Sequence, residues 1–203
     1  MPRITGPRLL AATLAIVYGL FVWWYGGAGK PLTAEEAAHY FALLDARTHA
    51  HPDPSLRAAM EELARNDDGR EFFMVNLMND PADPAAAAAY NRLIIPELLK
   101  RGGHPAFIAR PIGRFLEPAE LEGWDQVAIV RYRSFRDLLD MITSDRAQEI
   151  EELKAGSVSK THVFPTHVQF SFIWMRVIVA VLLVALGLVL HLALRRLAFY
   201  SRR

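Results

Sequence analysis

The residues of this sequence that could do chemistry are a few polar side chains set among apolar ones. Asn76 lies between Met74 and Met78 in a segment that alternates like a β-strand, where every second residue shares a side. Two arginines and a tyrosine occur in later segments of the same kind. The candidate ligand pocket therefore consists of Met74, Asn76, Met78, Arg110, Arg131 and Tyr132.

An Asn, an Arg and a Tyr that converge in an apolar cleft suit a small organic ligand bearing a carboxylate or a phenolate. The alternative is purely structural: Asn76 binds backbone groups, Arg131 pairs with an acidic residue, and Tyr132 belongs to the core. Alternation alone does not decide which side of each strand faces the pocket. The sequence therefore leaves both interpretations open.

No catalytic signature accompanies these residues. There is no G-x-S-x-G, no H-E-x-x-H and no phosphate-binding loop. His49 and His51 form an H-x-H pair that could ligate a metal, but no third ligand is marked out nearby, which favours a turn. His104 could act as a general base or bind haem, and its neighbours Gly103 and Pro105 favour a turn there as well. We predict no cofactor and no metal.

Composition excludes several classes of function. The chain has 203 residues, a net charge of +1 and no cysteine, so disulfides, thiolate chemistry and Cys-based metal sites are excluded. Residues 31–168 hold all 22 acidic residues and 15 of the 23 Lys and Arg, a formal charge of about −7. An acidic domain argues against nucleic acid as a partner, because nucleic-acid binders present basic faces.

The hydrophobic share of 52% is high and is concentrated at the two ends. Residues 9–25 form a run of 17 without a charge, and residues 177–194 form a run of 18 interrupted only by His191. We predict transmembrane helices at 9–27 and 170–194, with the lipid bilayer as a partner. The alternative for the first run is a cleaved signal peptide, with Arg3 and Arg8 as its basic region.

The charges that flank the two runs indicate an orientation. Two arginines precede the first run and four follow the second, so the positive-inside rule places both termini in the cytoplasm of a two-pass inner-membrane protein. The central domain is then extracytoplasmic, which means periplasmic in a Gram-negative cell. The predicted parts are a cytoplasmic N-terminus at 1–8, a helical extension at 31–69, the central domain at 70–168 and a basic cytoplasmic tail at 195–203.

The central domain has a periodicity that switches between strand and helix. Strands are predicted at 72–78, 104–116, 126–133 and 161–165, and helices at 84–101 and 134–155. The order β-α-β-β-α-β predicts an α+β, ferredoxin-like domain. We expect Phe73, Val75 and Leu77 to lie under the helices. The side that carries Asn76 would be bare, and a second copy of the domain is its simplest cover.

Residues 71–166 carry a family resemblance through order and spacing. The matching segments are Phe73-Met74-Val75-Asn76-Leu77, Tyr90 ahead of Gly102-Gly103, the run from Gln126 to Phe135, Lys160-Thr161, and Phe164-Pro165-Thr166. This half of the chain resembles the uncharacterised DUF1330-type domains of the dimeric α/β-barrel superfamily. The resemblance implies a homodimer whose two sheets pack into a barrel. The wider superfamily includes small monooxygenases, haem-dependent chlorite-degrading enzymes and proteins with no known activity.

Three functional hypotheses follow. The chain is a membrane-tethered module that binds a small hydrophobic or acidic organic ligand or another protein. Alternatively, it is a small cofactor-independent monooxygenase or isomerase that acts on a hydrophobic organic substrate. In the third hypothesis it is an accessory subunit of a membrane complex. Because no catalytic signature is present, the first hypothesis is favoured.

Overall fold

The computed structural model of the chain describes residues 6–27, 29–47, 54–113, 116–117, 123–171 and 175–200. His49 and His51 lie outside them. The described segments contain seven helices and four strands. In chain order these are α1 Gly6–Gly26, α2 Ala34–Arg47, α3 Pro54–Arg65, β1 Phe72–Asn79, α4 Pro84–Lys100, β2 His104–Ala109, β3 Gln126–Tyr132, α5 Phe135–Ile142, α6 Ala147–Ser157, β4 Lys160–Thr166 and α7 Met175–Tyr200. The elements fall into two compact units, Met1–His167 and Val168–Arg203, and α7 belongs to the second.

The four strands form one antiparallel sheet in the order β2-β3-β1-β4. β1 is central, with Val75 opposite Ile129 of β3 and Phe164 of β4. The connections run β-α-β-β-α-β when α5 and α6 are taken together. This topology is compatible with a ferredoxin-like domain. The predicted α+β class is confirmed.

The hydrophobic core lies between one side of the sheet and helices α4, α5 and α6. Its buried members are Phe72, Leu93, Ile94, Leu98, Phe135, Leu138, Leu139, Met141 and Ile150. Phe135 and Leu139 are 1% and 0% exposed. They belong to the i, i+3, i+4 stripe of α5, which the sequence indicates. Each such buried side chain contributes roughly 1.5–3 kcal/mol through removal from water.

Side-chain caps fix where helices α4 and α5 begin. Asp83 caps α4 by accepting a hydrogen bond from the amide of Ala85, and Ser134 caps α5 by accepting from the amide of Asp137. The Ser144 hydroxyl donates to the carbonyl of Met141, and α6 begins without a side-chain cap.

The second strand is shorter than expected. The sequence predicts a strand that reaches residue 116, but β2 ends at Ala109, two residues before Pro111. Proline has no N–H to donate to a sheet, which accounts for the early end. The strand therefore stops short of Arg110, so this predicted pocket residue is not part of the sheet.

The N-terminal extension, residues 31–69, is tied to the domain through the first turn of α2. Thr33 and Glu36 form a capping box: the Thr33 amide donates to Glu36 Oε2 over 2.9 Å, and the Glu36 amide donates to Thr33 Oγ1 over 3.2 Å. Arg136 of α5 donates to the same carboxylate over 2.8 Å. The Leu32 amide donates to Asp67 Oδ2 over 2.7 Å. The extension is thus joined to α5, and its start is joined to its own end before β1.

The capping-box carboxylate gives a prediction for acid conditions. The hydrogen bonds from Arg136 and from the Thr33 amide lower the pKa of Glu36 from 4.5 to about 2. A lowered pKa in the folded state stabilises the fold above pH 4.5, and this stabilisation is lost as the pH falls through about 2. We expect carboxyl ¹³C NMR to show Glu36 ionised at pH 3.5, and to show its pKa raised towards 4.5 in Arg136→Gln, where only the Thr33 hydrogen bonds still lower it. Equal titration in the two proteins would contradict the ion pair.

The prediction of a two-pass inner-membrane protein, with cytoplasmic termini and a periplasmic centre, is wrong. Both apolar runs do form helices, α1 and α7. Over the residues that can be described, however, no helix combines the length and the apolar character needed to cross a bilayer. The prediction counted charge-free runs of 17 and 18 residues. The hydrocarbon core requires about 20 consecutive, mainly apolar residues.

Candidate functional site

The side of the sheet that carries Asn76 is the side packed under the helices. Phe72 is 2% exposed, its ring stacks on Tyr132 with the centroids 5.3 Å apart, and Met74 packs against the same core. Strand residues alternate sides, so Asn76 and Met78 share the side of Phe72. The predicted face assignment is therefore wrong. Both sides of β1 are apolar, and a period of two does not show which one is covered.

The opposite side of the sheet, here called the open face, is apolar too. The strand register places eight apolar side chains on it: Phe73, Val75, Leu77, Phe107, Ala109, Val127, Ile129 and Phe164. Phe107 and Phe164, on the two edge strands, are 38% and 45% exposed. In the unit that ends at His167, helices α4 to α6 lie on the other side. The described side chains of α1 before Tyr25 are exposed, so α1 meets this face only at its last turn.

Two of the predicted pocket residues, Asn76 and Tyr132, lie on the covered side of the sheet. The Asn76 amide nitrogen donates to the carbonyls of Met74 and Ala128 over 3.0 and 3.3 Å, which is the structural role weighed above. Burial raises the pKa of Tyr132 well above its ordinary value of 10, so its phenol stays neutral. Neither side chain lies on the open face.

Arg110 lies apart from the other predicted pocket residues. It is an exposed side chain beyond the end of β2, where it forms a bidentate ion pair with Asp80 over 2.7 and 3.1 Å. This hydrogen-bonded pairing lowers the pKa of Asp80. The six predicted residues thus divide among the covered side, the open face and a surface turn, and they form no common pocket. Their ligand-binding role remains a prediction.

Arg131 is the one predicted residue on the open face, and it is 3% exposed. Its guanidinium donates to Glu71 Oε2 over 2.5 Å, to the Gly102 carbonyl over 2.6 Å and to the Tyr25 carbonyl over 3.0 Å. The guanidinium carbon also lies 3.6 Å from the centroid of the Tyr25 ring, a cation–π contact. A buried charge requires this degree of pairing. Arg131 therefore joins α1 to the sheet.

The Tyr25 ring also stacks on His104, which faces Arg131 across β2 and β3, with the centroids 5.8 Å apart. His104 Nδ1 lies 3.0 Å from the Pro105 carbonyl, and Nε2 lies 2.7 Å from the Tyr25 hydroxyl. A carbonyl only accepts, so Nδ1 carries the proton and, in the neutral ring, Nε2 accepts from the tyrosine. Such a pair can pass a proton, but its geometry here serves to hold α1.

A second arginine contributes to the contact between the C-terminal end of α1 and the sheet, which we call the joint. Arg133 donates to the Trp24 carbonyl over 2.9 Å and is paired with Asp137. The last carbonyls of a helix have no partner within the helix and carry partial negative charge, so cations there are favourable. Two arginines thus cap the C-terminus of α1. Sequence reasoning missed this contact, and its only signal was the Arg-x-Arg spacing of Arg131 and Arg133.

A shallow crevice beside this joint contains little room for a ligand. It measures about 160 Å³ including the open solvent at its mouth, and its lining is Leu98, Arg101, Gly103, Tyr132, Arg133, Asp137 and Met141. Ligand pockets are typically about 300–1,000 Å³. Its charged side chains are already paired: Arg133 with Asp137, and Arg101 with Glu97. We therefore take the open face, and not this crevice, as the candidate functional site.

Comparisons with known proteins bear on the fold alone. Neither the protein-family models nor the curated proteins gave a match. The fold is similar to that of RPA0582, a protein of unknown function from Rhodopseudomonas palustris. That match has 23% identity and a TM-score of 0.51, and it covers 61% of this chain and 98% of that one. The methylated RPA0582 protein matches at 22% identity and a TM-score of 0.50, over 60% and 96% of the two chains.

Proposed function

We propose that the chain is a binding module of the dimeric α/β-barrel type, in which the open faces of two copies pack together. The observation that carries this proposal is the apolar character of the open face. An antiparallel sheet with one side in water normally alternates apolar and polar residues. Here β1 is apolar on both sides, and Phe107 and Phe164 extend the apolar surface to both edges of the sheet.

A second copy is the occupant that fits a whole sheet face. Two sheets can pack face to face at about 10 Å through interdigitated side chains, and a two-fold axis would let one surface serve both copies. The resemblance of residues 71–166 to DUF1330-type domains supports the same arrangement, since that superfamily is dimeric. A ligand would then lie between the two sheets.

A binding role is favoured over catalysis by the state of the polar groups. On the open face, Arg131 has all three of its guanidinium nitrogens bonded within the chain, and its neighbour His104 has both ring nitrogens engaged. Groups held in this way are not available to a substrate. The enzyme hypothesis therefore receives no support from this part of the described chain.

The test uses the absence of cysteine in the chain. Single variants Val75→Cys, Ile129→Cys and Phe164→Cys would be treated at low concentration with a thiol crosslinker of about 10 Å span, matched to the spacing of packed sheets. We expect at least one open-face variant to give a covalent dimer. Leu99→Cys, on the exposed side of α4, is the matched control and should stay monomeric.

Sedimentation of the full chain completes the test. The unmodified protein should have the mass of a dimer, and Val75→Glu should shift it to a monomer because a carboxylate would be desolvated in the interface. A monomeric unmodified protein with no crosslinking at any open-face position would overturn the proposal.

A further inference from the structure

A column of three stacked rings leads from the open face onto α1. The His104 ring stacks on Tyr25 with the centroids 5.8 Å apart, and the Tyr25 ring stacks on Phe21 with the centroids 5.2 Å apart. His104 lies on the open face, because it is the register partner of Arg131. The surface of the open face is therefore continuous with one side of α1.

That side of α1 is apolar and exposed. Leu14, Tyr18 and Phe21 precede Tyr25 at helical spacing, so they lie on the same side of the helix as Tyr25. Their side chains are 60%, 68% and 49% exposed. We call Leu14, Tyr18 and Phe21 the Tyr25 side of α1. Since α1 meets the open face only at its last turn, the Tyr25 side extends the apolar surface beyond the end of the sheet.

The open face by itself is smaller than a stable dimer interface. It is four strands wide and runs from Phe73 to Leu77 along the central strand. Strands lie about 4.8 Å apart and rise about 3.3 Å per residue, so the face with its side-chain radii covers roughly 400 Å². A standard interface buries about 800 Å² on each partner. A second copy on the open face must therefore contact further apolar surface.

The Tyr25 side of α1 supplies surface of the required kind. An aromatic side chain buries about 150–250 Å², and about half or more of Tyr18 and of Phe21 is exposed. At the opposite end of the open face, Trp124 is bordered by the exposed charged residues Lys160 and Asp125. Charged residues suit the rim of an interface and are depleted at its centre. The apolar surface therefore continues at the α1 end.

We propose that the Tyr25 side of α1 is part of the dimer interface and packs on the second copy. Tyr18 and Phe21 are buried against the partner, and the joint holds α1 in the position that this contact needs. Ile16 and Leu20, on the opposite side of the helix, lie outside the interface. The inference rests on the proposed function, because the partner is the second copy that covers the open face.

The dissociation constant of the full-length dimer, measured by sedimentation over a concentration series, tests this contact. Tyr18→Asp and Leu20→Asp place the same carboxylate on the two sides of α1, at side chains that are 68% and 61% exposed. We expect Tyr18→Asp to raise the dissociation constant at least about a hundredfold, because a symmetric dimer contains the change twice. Leu20→Asp is the matched control and should change it less than about twofold.

Photocrosslinking of the full chain identifies what lies against each side of α1. The photoreactive residue benzoylphenylalanine replaces Tyr18 or, as the control, Leu20. We expect irradiation to give a covalent dimer from the Tyr18 position and none from the Leu20 position. Mixing ¹⁵N-labelled and unlabelled chains distinguishes crosslinks between two copies from crosslinks within one. Crosslinks only within one chain from the Tyr18 position would show that the chain covers this side itself, and would overturn the inference.

The outcomes separate this inference from the proposed function. A dimer in which Tyr18→Asp and Leu20→Asp have equal dissociation constants would overturn the α1 contact and leave the open-face dimer in place. A dimer that Tyr18→Asp dissociates and Val75→Glu does not would overturn the open face as the interface and keep the α1 contact. A monomeric unmodified protein would overturn both.

Discussion

The Arg131→Met variant is expected to lose about 3 kcal/mol of unfolding free energy. Methionine matches the length of the arginine stem but donates no hydrogen bond. The carbonyls of Gly102 and Tyr25 therefore lose their donor. Water does not readily replace it, because the Arg131 side chain is only 3% exposed. Glu71 is about half exposed and can turn to water, so its share of the loss is small. The cation–π contact with Tyr25 disappears as well.

Urea denaturation followed by circular dichroism measures this loss. Arg110→Met is the matched control, because its ion pair with Asp80 is exposed on both sides and should contribute less than about 1 kcal/mol. The amide of Gly27, just after α1, should also exchange faster in Arg131→Met, since the joint is opened. If the two arginine variants lose equal stability, Arg131 does not have the structural role assigned to it.

A comparably large effect is expected from Gly69→Ala, in the turn before β1. Gly69 has φ of +75°, where a side chain is strained by roughly 1–2 kcal/mol. A Cβ there would lie 2.2 Å from the Lys30 carbonyl carbon and 2.4 Å from the Pro31 nitrogen, and both are backbone atoms. The chain at Lys30 must move away, which breaks the hydrogen bond from the Leu32 amide to Asp67. We expect a total loss of about 3 kcal/mol.

The effect of Gly69→Ala should be confined to the N-terminal extension. Hydrogen exchange at Leu32 should rise sharply, and the N-terminal extension should become sensitive to protease while the sheet keeps its protection. Gly113→Ala is the control, since its φ is not positive and nothing lies within 4 Å of the added Cβ. Unchanged exchange at Leu32 in Gly69→Ala would show that the extension is not held by this turn.

Much of the fold was predictable because it depends on neighbours in sequence. The apolar stripe that contains Leu138 and Leu139 and the caps at Asp83 and Ser134 act within one or two turns of chain. The order of strands and helices then restricts the topology to very few arrangements. Even the capping box at Thr33 can be recognised from four adjacent residues.

The candidate site was not predictable, because its contacts connect distant parts of the chain. Arg131 donates to a carbonyl 106 residues earlier, and Arg133 to one 109 residues earlier. Every residue has a backbone carbonyl, so residue types do not indicate which carbonyl each arginine contacts. The side of β1 was misassigned for a related reason: Phe73 and Met74 are both apolar, and only the packing of α4 to α6 distinguishes them.

The joint between α1 and β3 has a mechanical consequence. Arg131 and Arg133, at the end of an inner strand of the sheet, hold the two final-turn carbonyls of Trp24 and Tyr25. A force pulling along the axis of α1 is therefore transmitted into β3, where it loads two rows of backbone hydrogen bonds at once. Tension on the N-terminal helix would therefore be shared by both neighbours of β3 in the sheet, β1 and β2.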